Sequence, residues 1–209
     1  MARSPWLALF GVTAAIIFLA PSGALAGPRL SLLGLSNVTQ LEVSQAGLTS
    51  KTDGLLGFGG GALLEFPLSG VVGVETGAIY ALRQFGSASL ETRLQQVQLP
   101  VTVKLWLGNL IYLNAGAYLG MGLGEMKSTS SDGAVSSYGF SDYTLKKTDI
   151  GVLAGLGANL QLSSSTSLRL GAQFLQSQVN ASSDSAATRK FTEIQIIAGF
   201  SFGGGRSFF

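Results

Sequence analysis

The residue types that could carry out hydrolysis are gathered in one polar segment, residues 127–147. It holds Ser128 and Ser131 as candidate nucleophiles and Asp132 and Asp142 as candidate acids. A serine needs a base of suitable pKa to accept its proton, and the chain contains no His and no Cys. This composition excludes a Ser-His-Asp triad, a thiol nucleophile, a disulfide framework and a His-ligated metal site. The sequence therefore predicts a protein that is not an enzyme and that holds neither a metal nor a cofactor.

Charged side chains form the second set of residues that could do chemistry. Glu65, Glu75, Lys104 and Arg169 stand far apart in a sequence whose charged fraction is only 11%. Carboxylates and cations of this kind can pair with one another or can line a conduit for solutes. Which of the two they do depends on the elements that position them.

Those elements are β-strands, because apolar residues recur with a period of two. In residues 96–107, Val97, Leu99 and Val101 share one parity, whereas Gln96 and Gln98 share the other. The same alternation gives eight predicted strands: near 29–38, and over 54–66, 71–85, 96–107, 110–124, 148–162, 166–178 and 190–202. Tight turns are predicted at 67–70, 108–109 and 163–165, and longer polar loops at 39–53, 86–92, 127–147 and 179–189. Short connections alternating with long ones indicate an up-and-down meander.

Composition excludes two further classes of protein, and the N-terminus indicates export. Hydrophobic residues reach 46% and the formal charge is only +2, which fits neither a disordered chain nor a nucleic-acid binder. Residues 1–26 combine Arg3, an apolar run and the small residues Ala24 and Ala26. This pattern predicts a cleaved signal peptide, with Gly27 as the first mature residue.

The placement of charge decides which solvent surrounds the sheet. Seven charged residues lie on the polar parity of their strands: Glu65, Glu75, Arg83, Lys104, Asp149, Arg169 and Glu193. The apolar parity is free of charge except at strand ends. A Lys or Arg facing lipid costs about 2–4 kcal/mol at the bilayer midplane, so a face kept clear of charge is typical of contact with hydrocarbon. The prediction is an all-β, eight-stranded, antiparallel up-and-down transmembrane β-barrel over residues 27–202, with a short tail at 203–209.

The last predicted strand carries a further signal. Ile194, Ile196, Ala198, Phe200 and Phe202 share one parity, and the strand ends on an aromatic ring. In this pattern the mature chain resembles the small eight-stranded outer-membrane barrels of the OmpA and OmpX type. The resemblance implies the outer membrane of a Gram-negative bacterium, lipid as a partner, and recognition of this final strand by the barrel-assembly machinery. The recognised aromatic is either Phe202 or Phe209, since seven residues follow Phe202.

For the barrel interior the sequence leaves two functions open. An eight-stranded barrel is just wide enough for side chains to fill, so we expect Glu65, Glu75, Lys104 and Arg169 to form an interior ion-pair cluster. The barrel would then present its loops to a surface ligand or support envelope integrity, and would bind no nucleic acid. The alternative is porin-like passage of small solutes or a slender ligand along inward-facing glycines.

Two strand aromatics, Trp106 and Tyr80, sit on or near predicted strand ends. Aromatic rings collect at membrane–water interfaces, so both are predicted to belong to interfacial girdles.

Overall fold

The computed structural model describes residues 27–87, 90–140, 145–182 and 187–203, and within these ranges the chain is all-β. None of the described residues form a helix long and apolar enough to cross a membrane. The strands are β1 (Arg29–Gln45), β2 (Leu48–Lys51), β3 (Asp53–Pro67), β4 (Val72–Ser87), β5 (Leu90–Leu107), β6 (Ile111–Ser130), β7 (Val135–Tyr138), β8 (Thr148–Gln161), β9 (Thr166–Ser177) and β10 (Ala187–Phe202).

The strands close into a ring of antiparallel neighbours. Consecutive wall strands pair with each other, and β10 pairs with β1 from Leu30↔Phe202 to Gln45↔Ala187. Strands β2 and β3 continue one another around Thr52, and β7 pairs with the far end of β6. The wall therefore has eight strand positions, which confirms the predicted eight-stranded antiparallel barrel.

The two ends of the barrel differ. At one end lie both ends of the barrel wall, Arg29 and Phe202, together with three short connections: β3–β4, β5–β6 and β8–β9. We call this the inner end and the opposite end the outer end. The tight turns predicted from Pro67, Gly108 and Ser163 all lie at the inner end and are confirmed.

The alternating pattern separates two environments as predicted. Along β10, Ile194, Ile196, Phe200 and Phe202 are 41–55% exposed on the outside. The intervening residues face inward, and Gln195 is completely buried. Because an open apolar face on this scale is stable only against hydrocarbon, the outer wall fits a membrane.

The prediction of four long loops at the outer end is wrong in extent. Strand β1 runs to Gln45 rather than stopping near residue 38, so most of the loop predicted at 39–53 belongs to β1, β2 and β3. The loop predicted at 86–92 is mostly the ends of β4 and β5, and β6 continues to Ser130. Beyond the hydrocarbon layer the outward face of a strand meets water, so a strand continues there without the regular row of exposed apolar residues.

Candidate functional site: the barrel interior

The inward parity of the strands brings all seven charged side chains of that parity into the barrel. Each is at most 3% exposed: Glu65, Glu75, Arg83, Lys104, Asp149, Arg169 and Glu193. Charge buried in this way is stable only where partners replace the lost water. The side chains meet that requirement in two clusters, one towards each end.

The inner cluster contains the four residues singled out in the sequence. Lys104 Nζ on β5 lies 3.0 Å from Glu65 Oε2 on β3 and 2.6 Å from Glu75 Oε2 on β4. From β9, across the barrel, Arg169 donates through Nη1 and Nη2 to the two Glu75 oxygens at 2.5 and 2.9 Å. This bidentate pairing fits the planar guanidinium to the two carboxylate oxygens. The structure thus brings Glu65, Glu75, Lys104 and Arg169 together, with two cations balancing two carboxylates.

Aromatic side chains complete the inner cluster. Tyr112 accepts a hydrogen bond from Arg169 Nε at 3.0 Å, and its ring centroid lies 4.4 Å from Lys104 Nζ. Trp106 Nε1 donates to Glu65 Oε1 at 2.9 Å, and only 2% of Trp106 is exposed. The prediction that Trp106 belongs to an interfacial girdle is therefore wrong, since its even parity on β5 turns it inward. Tyr80 does face outward, with 41% exposure.

The outer cluster was not predicted from the sequence. Arg83 on β4 donates to Asp149 Oδ2 on β8 at 2.9 Å and to Glu193 Oε2 on β10 at 2.6 Å. Asp149 also accepts hydrogen bonds from Tyr118 and Ser177. Their parity predicts that these three side chains face the barrel interior. Whether they meet there depends on the relative heights of strands that are not neighbours, which the sequence pattern does not give.

Neutral side chains offset the charge imbalance of the outer cluster, which has one cation and two carboxylates. Asn37 Nδ2 donates to Glu193 Oε1 at 2.7 Å, Gln195 Nε2 donates to the same oxygen at 2.8 Å, and Gln98 Nε2 donates to Oε2 at 3.3 Å. Hydrogen bonds to an ionised carboxylate stabilise its charged form. Four side chains thus donate hydrogen bonds to Glu193: Arg83, Asn37, Gln98 and Gln195.

Apolar side chains form a third layer, at the outer end of the interior. Their buried members, which we call the outer apolar cluster, are Leu41, Phe85, Leu94, Met126, Leu145, Ala181 and Phe191. Val43 and Phe140 pack against them. The Arg83 guanidinium carbon lies 4.8 Å from the Phe191 ring centroid, so the outer cluster and this apolar layer are in contact.

Inward-facing glycines lie against neighbouring groups. A Cβ on Gly155 would lie 2.7 Å from Asn114 Oδ1, and a Cβ on Gly157 would collide with the Tyr112 side chain. At Gly122 it would collide with the Phe140 ring. At these three positions the absence of a side chain makes room for a large neighbour, which is not what a glycine-lined conduit requires.

The candidate catalytic residues of segment 127–147 do not form a catalytic arrangement in the described ranges. Ser128 is buried and its Oγ lies 3.1 Å from Thr92 Oγ1. Asp132 Oδ1 accepts a hydrogen bond from the Ala134 N–H at 3.0 Å, which stabilises the turn and lowers the pKa of that carboxyl. Asp142 lies outside the described residues. No group of three His, Cys, Asp or Glu side chains within the described ranges could hold a metal ion.

The final-strand residues Ile194, Ile196, Ala198, Phe200 and Phe202 all point outward from β10. Strand β10 pairs on one side with β9 and on the other with β1, so it forms the seam at which the barrel closes. The alternative terminal aromatic, Phe209, lies outside the described residues.

Three solved outer-membrane structures illustrate what the chain is similar to. Ail of Yersinia pestis, in a complex with the heparin analogue sucrose octasulfate, is 15% identical, with 84% of this chain and 99% of Ail covered and a TM-score of 0.47. OprG of Pseudomonas aeruginosa is 13% identical, with coverages of 86% and 97% and a TM-score of 0.47. The outer membrane protease OmpT of Escherichia coli is 11% identical, with coverages of 87% and 97% and the same TM-score. No curated protein matches the sequence significantly.

Residues 7–202 match the family model described as the outer membrane protein beta-barrel domain. The match spans every described strand, and the apolar outer wall is what such a domain needs in lipid. The chain therefore belongs to the outer membrane protein beta-barrel family and resides in the outer membrane of a Gram-negative bacterium.

Proposed function

We propose that the protein is a non-enzymatic outer-membrane barrel with a closed interior, whose outer end serves surface interaction or envelope integrity. The observation that carries this proposal is the burial of seven charged side chains in mutually paired clusters across the barrel. Opening a continuous water path would break those pairs, at a cost of several kcal/mol for each uncompensated charge.

The outer end supports the second half of the proposal. Strands β1, β4, β5 and β6 extend beyond the lipid-facing apolar band, and β2 lies there as well. Exposed charged residues in this region include Lys51 on β2, Arg93 on β5 and Lys127 on β6. Function in barrel proteins commonly lies in the segments that a rigid scaffold holds in solvent. A rigid platform of extended hairpins is suited to binding a surface ligand.

The proposal also covers how the protein reaches the outer membrane. Residues 1–26, which lie outside the described ranges, are removed as a signal peptide, and residues 203–209 form a tail after the barrel. The barrel-assembly machinery recognises the final strand, and outer-membrane lipid is the lasting partner. An intact mass of the purified protein that still includes residues 1–26 would exclude the cleavage.

Single-channel recording in planar bilayers tests the closed interior. The unchanged protein is expected to show no large unitary conductance. Lys104→Met removes the cation that bridges Glu65 and Glu75, so it is expected to raise conductance. Lys127→Met is the matched control, because Lys127 is exposed on the outer part of β6. A large conductance of the unchanged protein would overturn the proposal.

Passage of small solutes is the second candidate, and one cavity favours it. A cavity of about 500 Å³ opens at the outer end, and Leu41, Val43, Phe85, Lys51 and Arg189 contribute to its lining. It could admit a slender ligand as far as the outer apolar cluster. Swelling of liposomes containing the refolded protein in graded sugars distinguishes the two functions. Sugar uptake would favour passage, whereas impermeability would favour the closed barrel.

A further inference from the structure

The outer mouth of the barrel is covered on one side and open on the other. On the covered side, residues from the connections after β7 and β9 pack onto the outer apolar cluster: Phe140, Leu145 and Ala181. The Lys146 N–H donates to the Ala181 carbonyl at 2.7 Å and joins these two connections. On the open side, the cavity of about 500 Å³ is lined by residues of β10 and of the strands from β1 to β5. A volume of this size is typical of a site for a small ligand.

The floor of the cavity is apolar and closed. Leu41 and Phe85 form it and are only 4% and 2% exposed. The Phe85 ring lies edge-to-face against Phe191, with ring centroids 5.6 Å apart, and the Phe191 ring packs against the Arg83 guanidinium of the outer cluster. The cavity therefore ends on the outer apolar cluster, and the paired charges behind this cluster block any continuation towards the inner end.

The wall of the cavity becomes polar farther from the floor. Cross-strand pairing puts Arg189 of β10, Val43 of β1 and Ser50 of β2 in one row. Val43 packs against the outer apolar cluster, and paired residues share a face of the sheet, so Arg189 and Ser50 also face the cavity. Val43 is two residues from Leu41 along β1, which places the row about 7 Å from the floor.

Arg189 supplies the charge that faces the cavity. The other charged residues among the described part of the lining are Lys51 and Asp53. Lys51 pairs with Glu42 on the outer surface of the wall. Asp53 lies opposite Gly86, on the outward parity of β4. Within the described lining, the inward-facing charge is therefore that of one cation.

The backbone of Arg189 is fixed by two hydrogen bonds. Its N–H donates to Asn180 Oδ1 at 2.8 Å, and its carbonyl accepts the Ala181 N–H at 2.8 Å. The guanidinium is thus presented from a rigid point of β10. Hydroxyl groups of Ser50 and Thr52 belong to the same lining and can donate hydrogen bonds to an anionic group beside the guanidinium.

These features together specify an amphiphile with one apolar chain and an anionic head group. The apolar floor removes a hydrocarbon chain from water, and a guanidinium pairs well with a carboxylate. A sugar would leave the apolar floor uncovered. The short distance between the floor and the Arg189 row favours a chain of medium length.

We propose that the cavity binds the anion of a medium-chain fatty acid, with the chain against Leu41 and Phe85 and the carboxylate at Arg189. The inference rests on the proposed closed interior, because a blind cavity retains its ligand instead of passing it on. It deepens the proposed function by naming a class of ligand that the outer end takes from its surroundings.

Calorimetric titration of the refolded protein in lipid nanodiscs tests the inference, with empty nanodiscs as the reference for partitioning into lipid. Octanoate is the probe, octanol has the same chain without the charge, and acetate has the charge without the chain. We expect saturable binding of octanoate, about tenfold weaker binding of octanol and no binding of acetate. Equal uptake of octanoate by empty nanodiscs would overturn the proposal, as would equal binding of octanol.

Two variants test the role of the cation. Arg189→Gln and Lys190→Gln form a matched pair, because adjacent residues of a strand face opposite sides of the wall. Arg189→Gln is expected to weaken octanoate binding about tenfold and to leave octanol binding unchanged, whereas Lys190→Gln should change neither. Equal effects of the two variants on octanoate binding would contradict the site.

Nuclear Overhauser contacts in the unchanged protein test the location without a variant. The octanoate chain should contact the methyl groups of Leu41 and Val43, and it should not reach Leu63, two residues from Glu65 on β3. Absence of contact at Leu41 and Val43 in a barrel that does not conduct would contradict this inference alone. Contact at Leu63 would contradict the closed interior, and with it the blind cavity.

Discussion

At the scale of single residues, the inner cluster depends most on Glu75. Both Lys104 and Arg169 bond to its carboxylate, and only 2% of Glu75 is exposed. Two cations would therefore lose their shared partner if this one charge were removed. A surface ion pair on the same barrel, Lys51 with Glu42, is 3.2 Å long and has side chains 63% and 37% exposed. The two pairs offer a matched comparison between buried and exposed charge.

We expect Glu75→Gln to lower the free energy of unfolding by about 3–5 kcal/mol, because breaking a buried pair leaves charge uncompensated. The control Glu42→Gln should cost less than about 1 kcal/mol, since solvent screens that pair. Urea unfolding of the lipid-reconstituted protein, followed by tryptophan fluorescence, measures both. Equal losses in the two variants would show that the inner cluster contributes no more than a surface contact.

The glycines give a second prediction at the residue scale. Gly157→Ala should cost about 1–3 kcal/mol, because the added methyl group collides with Tyr112 in the barrel interior. At Gly34 the nearest atom would lie 3.9 Å from the new Cβ, so Gly34→Ala should change stability by less than about 0.5 kcal/mol. The same unfolding experiment measures both variants. A tolerated Gly157→Ala would indicate unfilled space beside Tyr112.

At the scale of the strand, alternation of apolar and polar residues predicts a strand only where its two faces meet different environments. Within the lipid-facing band one parity meets hydrocarbon and the other meets the interior, so residues such as Ile196 and Gln195 could be assigned from the sequence alone. Farther out, at Gln40 or Lys127, the outward face of the strand meets water rather than hydrocarbon, so outward positions hold polar residues and the alternation fades. The outer strand extensions were therefore predicted as loops, although backbone pairing continues through them.

Parity also explains which interior residues could be predicted. It places Lys104, Glu75 and Arg83 in the interior. Because β4 and β5 are neighbouring strands, the contact between Glu75 and Lys104 could be predicted from the sequence. The meeting of Arg83 with Asp149 and Glu193 depends on the stagger of strands around the closed ring, which no local pattern encodes. Trp106 was missed for another reason, since its ring type suggested the membrane interface although its even position on β5 points inward.

The last strand gives the prediction that belongs to this scale. Phe202 ends β10, pairs with Leu30 of β1 and is 41% exposed to the outside. If the final strand is the assembly signal, as proposed, Phe202→Ala should lower the amount of assembled barrel in the outer membrane. Removal of residues 204–209 should leave assembly intact. Heat-dependent electrophoretic mobility of membrane fractions measures the folded amount, and the reverse result would make Phe209 the recognised residue.

At the scale of the whole molecule, apolar side chains cover the lipid-facing surface and charged side chains are buried, which is the reverse of the arrangement in a soluble protein. The outer wall of the barrel is covered by apolar side chains, whereas the buried ion pairs and amides lie inside, beside smaller apolar clusters. This inversion accounts for a chain with 46% hydrophobic and 11% charged residues that still forms an extensively paired sheet. It depends on hydrocarbon surrounding the outer wall, because in water the exposed Ile, Leu and Phe side chains would drive association.

Spin labelling along β10 tests this central claim most directly, and the chain contains no native Cys to interfere. Single cysteines replace residues 194–202 one at a time, and each label is probed in lipid with oxygen and with a water-soluble nickel complex. Labels at 194, 196, 198, 200 and 202 should be reached by oxygen and not by nickel, whereas labels at 195, 197, 199 and 201 should be shielded from both. Nickel access at the even positions, or no alternation along the strand, would contradict the account.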